Sequence, residues 1–468
     1  KVKPKALSRP EFLKGIGLAA GGAALAACQP KTVIVEKEVE KEVTRVVETE
    51  KEVEVEKIVQ QTVVVEQKLI RWHHRLGGWE IYADRIQAFE EAYPEAKVNE
   101  VEFPEGSATY GPKIASLVAA GMVGDVTWVA IGTGSFQFLA QGGALAELDE
   151  LVAADTSGFT FDEYYPRVVK AFRFGPGGQG TGAVQALPEL AHGVNDCLFY
   201  NKTMFEEEGV GIPDDTWTLD DLLTAARTLT SGDRFGFKPA SGSYSNIRNL
   251  TLPWGGELIN EDGTQSLIED DLVKQAIRWH HDLYFKDMVS PTAAELAGGL
   301  NQMFLAGLVG SYASGGWGLS IESVVQDQFE WDMVLMPVGP AGQRGGHLHA
   351  DGEAVLAQSE NKELAYEFVK FLTDYEGALG ITMEIGLAAR PDVYTDPSVT
   401  SNPHLVLLGK STEEAAEHRG PANQRKQELQ TTVQAIFDPL WTGDEEPDDV
   451  WFAEASAEVQ EFLDKSPE

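Results

Sequence analysis

From Lys68 onward the chain alternates short apolar strand-like runs with amphipathic helical ones, which confines it to layered α/β architectures. Residues 68–73, Lys-Leu-Ile-Arg-Trp-His, read as a strand. Residues 80–93 then place Ile81, Ile86, Phe89 and Tyr93 at helical spacing and stop at Pro94. A second strand is expected over 97–103, a helix over 111–120 and a third strand over 125–131. Further amphipathic helices are expected over Leu219–Leu229, Asp271–Phe285 and 361–372. Strands joined by helices pack as parallel neighbours, and such sheets take ligands at the carboxyl ends of their strands. With 468 residues, 43% of them hydrophobic, the chain can fill two lobes, given domains of roughly 100–200 residues.

The chain before Lys68 is of another kind. Five bases (Lys1, Lys3, Lys5, Arg9, Lys14) face one acid, Glu11, and are followed by an uncharged Gly/Ala/Leu run over 15–27. That run is too short to span a bilayer, which takes about 20 apolar residues, and suits the apolar part of a signal peptide. It closes with Leu25-Ala26-Ala27-Cys28, which resembles the lipobox of bacterial lipoproteins. Residues 1–28 are therefore expected to be a lipoprotein signal peptide, with Cys28 carrying the lipid. Residues 8–14 look like a twin-arginine export motif with Pro10 in place of the second arginine, so Sec and twin-arginine routes both stay open. In residues 29–67 Val alternates with Glu and Lys. Val39, Val46 and Val53 sit seven apart, but Glu50 and Lys57 interrupt the seam that a coiled coil needs. This stretch reads as a low-complexity tether. Cys197 is the other cysteine, so no internal disulfide is expected once Cys28 is lipidated.

The formal charge is -37. Such acidity repels phosphate backbones and anionic headgroups, excluding nucleic acid as a partner and leaving the lipid anchor as the membrane contact. The histidine pairs do not chelate as units. His73 and His74 point to opposite faces of a strand, and His280 and His281 diverge by about 100° on a helix. His347 and His349 share a face, but no third ligand is evident in the sequence. No metal or other cofactor is expected. Gly132-Thr133-Gly134 lacks the spacing of a dinucleotide fingerprint, and no nucleophile elbow or phosphate loop stands out. An enzyme is not expected.

Several segments, in order, resemble the family 1 extracellular solute-binding proteins, which include the maltose- and oligosaccharide-binding proteins of bacterial ABC importers. They are Trp72-His73-His74; Phe89-Glu90-Glu91-Ala92-Tyr93-Pro94; and residues 113–126, where Gly124 replaces the usual proline. Tyr200-Asn201-Lys202-Thr203-Met204-Phe205-Glu206-Glu207-Glu208-Gly209 is the closest, followed by Pro213 and Thr216-Trp217-Thr218. Phe304-Leu305-Ala306-Gly307, Gly315-Gly316-Trp317 and residues 361–368 complete the set. The resemblance implies a type II periplasmic-binding-protein-like fold: two discontinuous α/β lobes, a hinge and a central cleft. A first crossing is expected at 187–195 and a return at 345–355. This divides the chain into lobe 1 (68–190), lobe 2 (191–344), a lobe 1 return (345–400) and a C-terminal helical part, mainly on lobe 2 (401–468). It also implies an extracytoplasmic, monomeric globular part that captures a sugar or oligosaccharide by lobe closure and delivers it to ABC permease membrane subunits. The same fold binding a non-sugar solute or serving a sensor is the alternative; an enzyme acting on carbohydrate ranks below both.

A sugar site combines aromatic plates with convergent donors and acceptors. Trp317, behind Gly316, is the first candidate, because the family often carries a stacking aromatic there. Trp254 and Trp79 follow as loop tryptophans, while Trp72 and Trp128 lie within strands and read as core. The polar candidates are His74 and Arg75 after the first strand, Thr133 and Ser135 after the third, and Asn195 and Asp196 at the crossing. Glu189, Asp351 and Arg390 complete the set.

Overall fold

The structure, a computed structural model, describes residues 32–466 apart from 39–41, 49–50, 58–59, 76–79, 104–106, 297–298, 422 and 424. Cys28, the expected signal peptide and Trp79 lie outside the described residues. Two compact units are distinguished: Lys1–Ile70 with Ile86–Asn99, and Arg71–Arg85 with Glu100–Glu468.

In the first unit, Thr32–Glu38 pairs antiparallel with Gln60–Glu66, and Glu42–Glu48 with Lys51–Lys57. The stretch read as a tether thus carries strands. Its two-residue alternation of β-branched and charged side chains matches the strand period, not the helical one.

Most of the two largest sheets, together with a three-stranded one, falls in the second unit. The larger is ordered Leu187–Gly193, Leu348–Val355, Val126–Ala130, Lys68–Arg75, Ala96–Phe103. The smaller is ordered Phe235–Lys238, Val309–Ser314, Cys197–Asn201, Trp331–Leu335. Parallel pairing, the expectation from strand–helix alternation, is found between Lys68–Arg75 and Val126–Ala130 and between Phe235–Lys238 and Val309–Ser314. Leu348–Val355 pairs antiparallel with Leu187–Gly193 and with Val126–Ala130, as does Cys197–Asn201 with Val309–Ser314 and with Trp331–Leu335. The reason is topological. Leu187–Gly193 leads out of the larger sheet and Leu348–Val355 leads back in, so these two strands run against each other.

The helices form where the sequence pattern puts them. Leu219–Leu229 buries Leu219, Leu222, Ala225, Ala226 and Leu229, one stripe at helical spacing, and Thr218 with Asp221 closes a capping box at its start. Each such buried leucine contributes about 1.5–3 kcal/mol relative to an exposed one. Gly236 lies so close to this helix that a Cβ there would stand 2.0 Å from the Ala226 carbonyl oxygen. The C-terminal helices Lys426–Thr442 and Asp449–Leu463 bury Val433, Phe437, Leu440, Phe452 and Phe462 in one core with Leu198, Ile247 and Ile277. Among the described residues, no helix is long and apolar enough to cross a membrane.

Between the sheets the chain passes through Val194, Asn195 and Asp196. Asn195 adopts a left-handed backbone (φ 50) and donates from Nδ2 to Asn246 Oδ1 at 2.6 Å. The buried Asp196 carboxylate accepts from Ser411 Oγ at 2.7 Å, and burial pushes its pKa up to about 6. The return segment comes close enough at Gly346 that a Cβ there would lie 2.4 Å from Asp196 Cβ. The outgoing and returning segments therefore brace each other at the hinge.

Candidate functional site

A cleft of about 1040 Å³ is lined on one side by the larger sheet and on the other by the turn that follows strand Val309–Ser314. The wall built on the larger sheet is polar. His74 and Arg75 end their strand there, and the Arg75 guanidinium lies 5.1 Å from the Trp128 ring centre and 3.5 Å from Asp351 Oδ2. The other Asp351 oxygen faces His349 Nε2 at 2.9 Å. Burial opposes ionisation of Asp351, but His349 and Arg75 outweigh it and hold the carboxyl below its ordinary range. His192, on the neighbouring strand, is pushed down to about 4, first by burial and then by His349, so its imidazole is neutral near pH 7. Gly132 admits this arrangement: a Cβ there would stand 1.9 Å from His349 Nδ1.

The opposite wall carries the large apolar side chains, interspersed with Ser320, Glu322 and Ser323. Trp317 sits in the short helical turn Gly316–Ser320 and remains 46% exposed, edge-on to His192 with ring centres 5.2 Å apart. Gly315 lets this indole fold back over its own backbone, since a Cβ would meet the ring at 2.2 Å. Leu319 and Leu405 continue the wall, and Met383, Ile385 and Leu387 border the cleft beside it.

Behind the polar wall lies a second layer. Tyr82 donates to Glu189 Oε1 at 2.6 Å, and Trp72 Nε1 donates to Glu353 Oε2 at 2.8 Å. The remaining oxygens, Glu189 Oε2 and Glu353 Oε1, are buried without a hydrogen-bond partner. Burial raises the Glu189 pKa to about 7. It raises Glu353 well above the carboxylate range, with the Glu189 charge adding to the effect.

Of the residues singled out in the sequence, Trp317, Gly316, His74, Arg75, Thr133 and Asp351 come together in the cleft. Others are placed elsewhere. Trp254 is only 6% exposed, packed against Trp279 and His280, because the turn Leu252–Trp254 continues a buried helix rather than a loop. Ser135 is buried, with its hydroxyl accepting from the Ala130 amide at 2.9 Å, and so ties helix start to strand end. Glu189 belongs to the layer behind the wall. Asp196 is a hinge residue, while Asn195 faces a side pocket that shares Trp317 and Ser320. Arg390 is buried in ion pairs with Glu163 and Asp392.

Sequence reasoning missed Tyr82, Trp128, His192 and His349. For His349 a signal existed: His349, Asp351 and Glu353 are two apart on one strand and share a face. Trp128 is in the core as expected, yet it also presents a ring face to Arg75.

Comparison with known proteins places this geometry. Residues 84–406 match the family model described as bacterial extracellular solute-binding protein. A putative binding protein of Brucella abortus is 23% identical over 329 residues, 67% of this chain and 76% of its own length. The fold is similar to an ABC substrate-binding protein of Listeria monocytogenes solved with cycloalternan, with TM-score 0.73 and 21% identity, covering 85% of this chain and 99% of that one. It is also similar to the GacH receptor of Streptomyces glaucescens, solved unliganded and with acarbose, with TM-score 0.71 and 21% identity over 85% of this chain and 100% of that one.

Proposed function

The chain belongs to the bacterial extracellular solute-binding proteins, and on that premise we propose that it captures a sugar or oligosaccharide and hands it to an ABC permease. The observation that carries the ligand class is the pairing of the exposed Trp317 ring with the Arg75–Asp351–His349 set across one cleft. An indole covers the apolar C–H face of a pyranose, while carboxylate, guanidinium and imidazole meet its vicinal hydroxyls. Proteins of similar fold solved with cycloalternan, acarbose and maltose support the same class. The family and these neighbours are binding proteins rather than enzymes.

Capture works by closure. The polar groups stand on the larger sheet and the indole on the turn after strand Val309–Ser314, so a ligand touching both favours the closed arrangement and shifts an existing equilibrium. The lobes proposed to move are residues 68–190 with 345–400, and 191–344 with the C-terminal helices. Lipidation at Cys28 holds the protein at the outer face of the membrane; Cys28→Ser is expected to release it into the soluble fraction, and retention would contradict the anchor.

A thermal-shift series over saccharides, polyols, amino acids and peptides tests the ligand class. A saccharide at a hundred times its Kd adds about 2.7 kcal/mol of stability. A melting temperature raised by another solute class and by no saccharide overturns the assignment.

A further inference from the structure

At the sheet edge beside the cleft, a three-residue cluster shares His74 with the cleft and adds two glutamates outside it. Glu100 and Glu102 are two apart on Ala96–Phe103, so both side chains leave the same face, and His74 comes from the adjacent strand Lys68–Arg75. One ligand atom from each residue lies within 4.8 Å of the other two. The two carboxylates are solvent-exposed, whereas His74 is only 2% exposed. Its ring is fixed by stacking on Trp72 (centres 4.3 Å apart, planes 19° apart) and by a hydrogen bond to the Arg75 backbone.

The state of that imidazole is what requires explanation. A neutral ring that donates one N–H to the backbone keeps a bare lone pair on its other nitrogen. Here that nitrogen, Nε2, is buried without a hydrogen-bond partner, although it stands only 2.8 Å from Glu100 Oε1. A cation at this point would take that nitrogen and the Glu100 and Glu102 carboxylates as ligands together.

We propose that His74, Glu100 and Glu102 bind a divalent transition metal ion of the zinc or manganese class. One imidazole and two carboxylates is a borderline-soft donor set, which favours these ions over calcium or magnesium. Zn–N and Zn–O bonds of about 2.0–2.2 Å place ligand atoms about 3.3 Å apart, so the exposed glutamates need only rotate to adopt the geometry. The stacking on Trp72 and the backbone bond supply the outer support that orients a ligating histidine. Three protein ligands leave a coordination position open, and His74 also lines the cleft.

Titration calorimetry of the full-length, chelator-stripped protein with Zn²⁺ and with Mn²⁺, in the absence of sugar, tests this directly. One saturable equivalent is expected for at least one of the two metals, weakened at least tenfold both in His74→Ala and in the double variant Glu100→Gln/Glu102→Gln. Because the two glutamates are exposed, the double variant keeps its metal-free melting temperature and serves even if His74→Ala fails to fold. Co²⁺ substitution is expected to give d–d absorption bands that disappear in the double variant. The acidic surface is controlled by Glu261→Gln/Asp262→Asn, which should leave the equivalent intact. Absence of a saturable equivalent for both metals, or one that survives the Glu100/Glu102 double variant unchanged, overturns the site. Since no sugar enters the experiment, failure of the carbohydrate assignment leaves its outcome unaffected.

Discussion

The two walls of the cleft are built on opposite plans. On the larger sheet, the cleft-facing polar groups are held by one another: Arg75 by Trp128 and Asp351, Asp351 by His349, and the carboxylates behind them by Tyr82 and Trp72. Opposite, Trp317 stands in the cleft at 46% exposure, and Met383 borders it at 51%. The first wall is ordered before the ligand arrives and supplies direction. The second supplies area, and gains most when closure removes it from water. Damage to the first wall should therefore register as instability, and damage to the second as lost affinity.

The largest departure is expected from Asp351→Ala, which strips the partner from half-buried His349 and from Arg75. Losing hydrogen bonds to a charged group costs about 1.5–3 kcal/mol, so chemical denaturation should show a clear drop in midpoint together with lost binding. A stable Asp351→Ala protein would erase the contrast between the walls. Trp317→Ala should do the reverse: affinity falls by about ten- to a hundredfold while the melting temperature without ligand hardly moves. Equal affinity by calorimetry would take Trp317 out of the site. Gly132→Ala pushes a methyl group into His349 and should cost about 1–3 kcal/mol by overpacking, measurable as a shifted denaturation midpoint.

A pH test follows from the layer behind the polar wall. In the folded protein Glu189 has a pKa raised from 4.5 to about 7, and Glu353 is raised further in the same direction. Below the ordinary glutamate range both states are protonated and the pair costs nothing. As pH rises, the unfolded chain releases these protons first, so stability falls through pH 7. Glu353→Gln keeps an acceptor for Trp72 and removes one titration. Its melting temperature relative to the natural protein should therefore rise between pH 5 and pH 8, and a parallel pair of curves would refute the coupling. The smallest effect is expected for Met383→Ala, a few-fold loss of affinity with unchanged stability, since a flexible thioether on an exposed rim adapts readily.

The repeating local patterns were legible in the sequence. The helical stripe of Leu219–Leu229 and the strand–helix rhythm after Lys68 carry their periods openly. Cleft residues at strand ends, His74, Arg75 and Thr133, could be found because parallel strands deliver their ends to a common mouth; Asp351 sits inside an antiparallel strand and falls outside that rule. Trp254 could not be told from a binding tryptophan, because its Pro-Trp-Gly-Gly context looks like a loop, and only packing on Trp279 reveals core. Ser135 and Arg390 failed for a related reason. A polar side chain at an element's end serves equally well as a cap or a buried ion pair, and the choice depends on partners far away in the chain. Tyr82 and His192 act through groups on other elements, a relation that local pattern does not encode.

Cys197 opens the strand just past the first crossing, with its thiol buried and 3.6 Å from Asp196 Oδ1. Burial, followed by the Asp196 charge, raises its pKa well above the ordinary thiol value, so the closed hinge shields it from alkylating reagents. Only an excursion that parts this junction exposes it. In a Cys28→Ser background the alkylation rate of Cys197 thus becomes a clock for hinge opening, and ligand should slow that clock in proportion to how firmly it holds the lobes together.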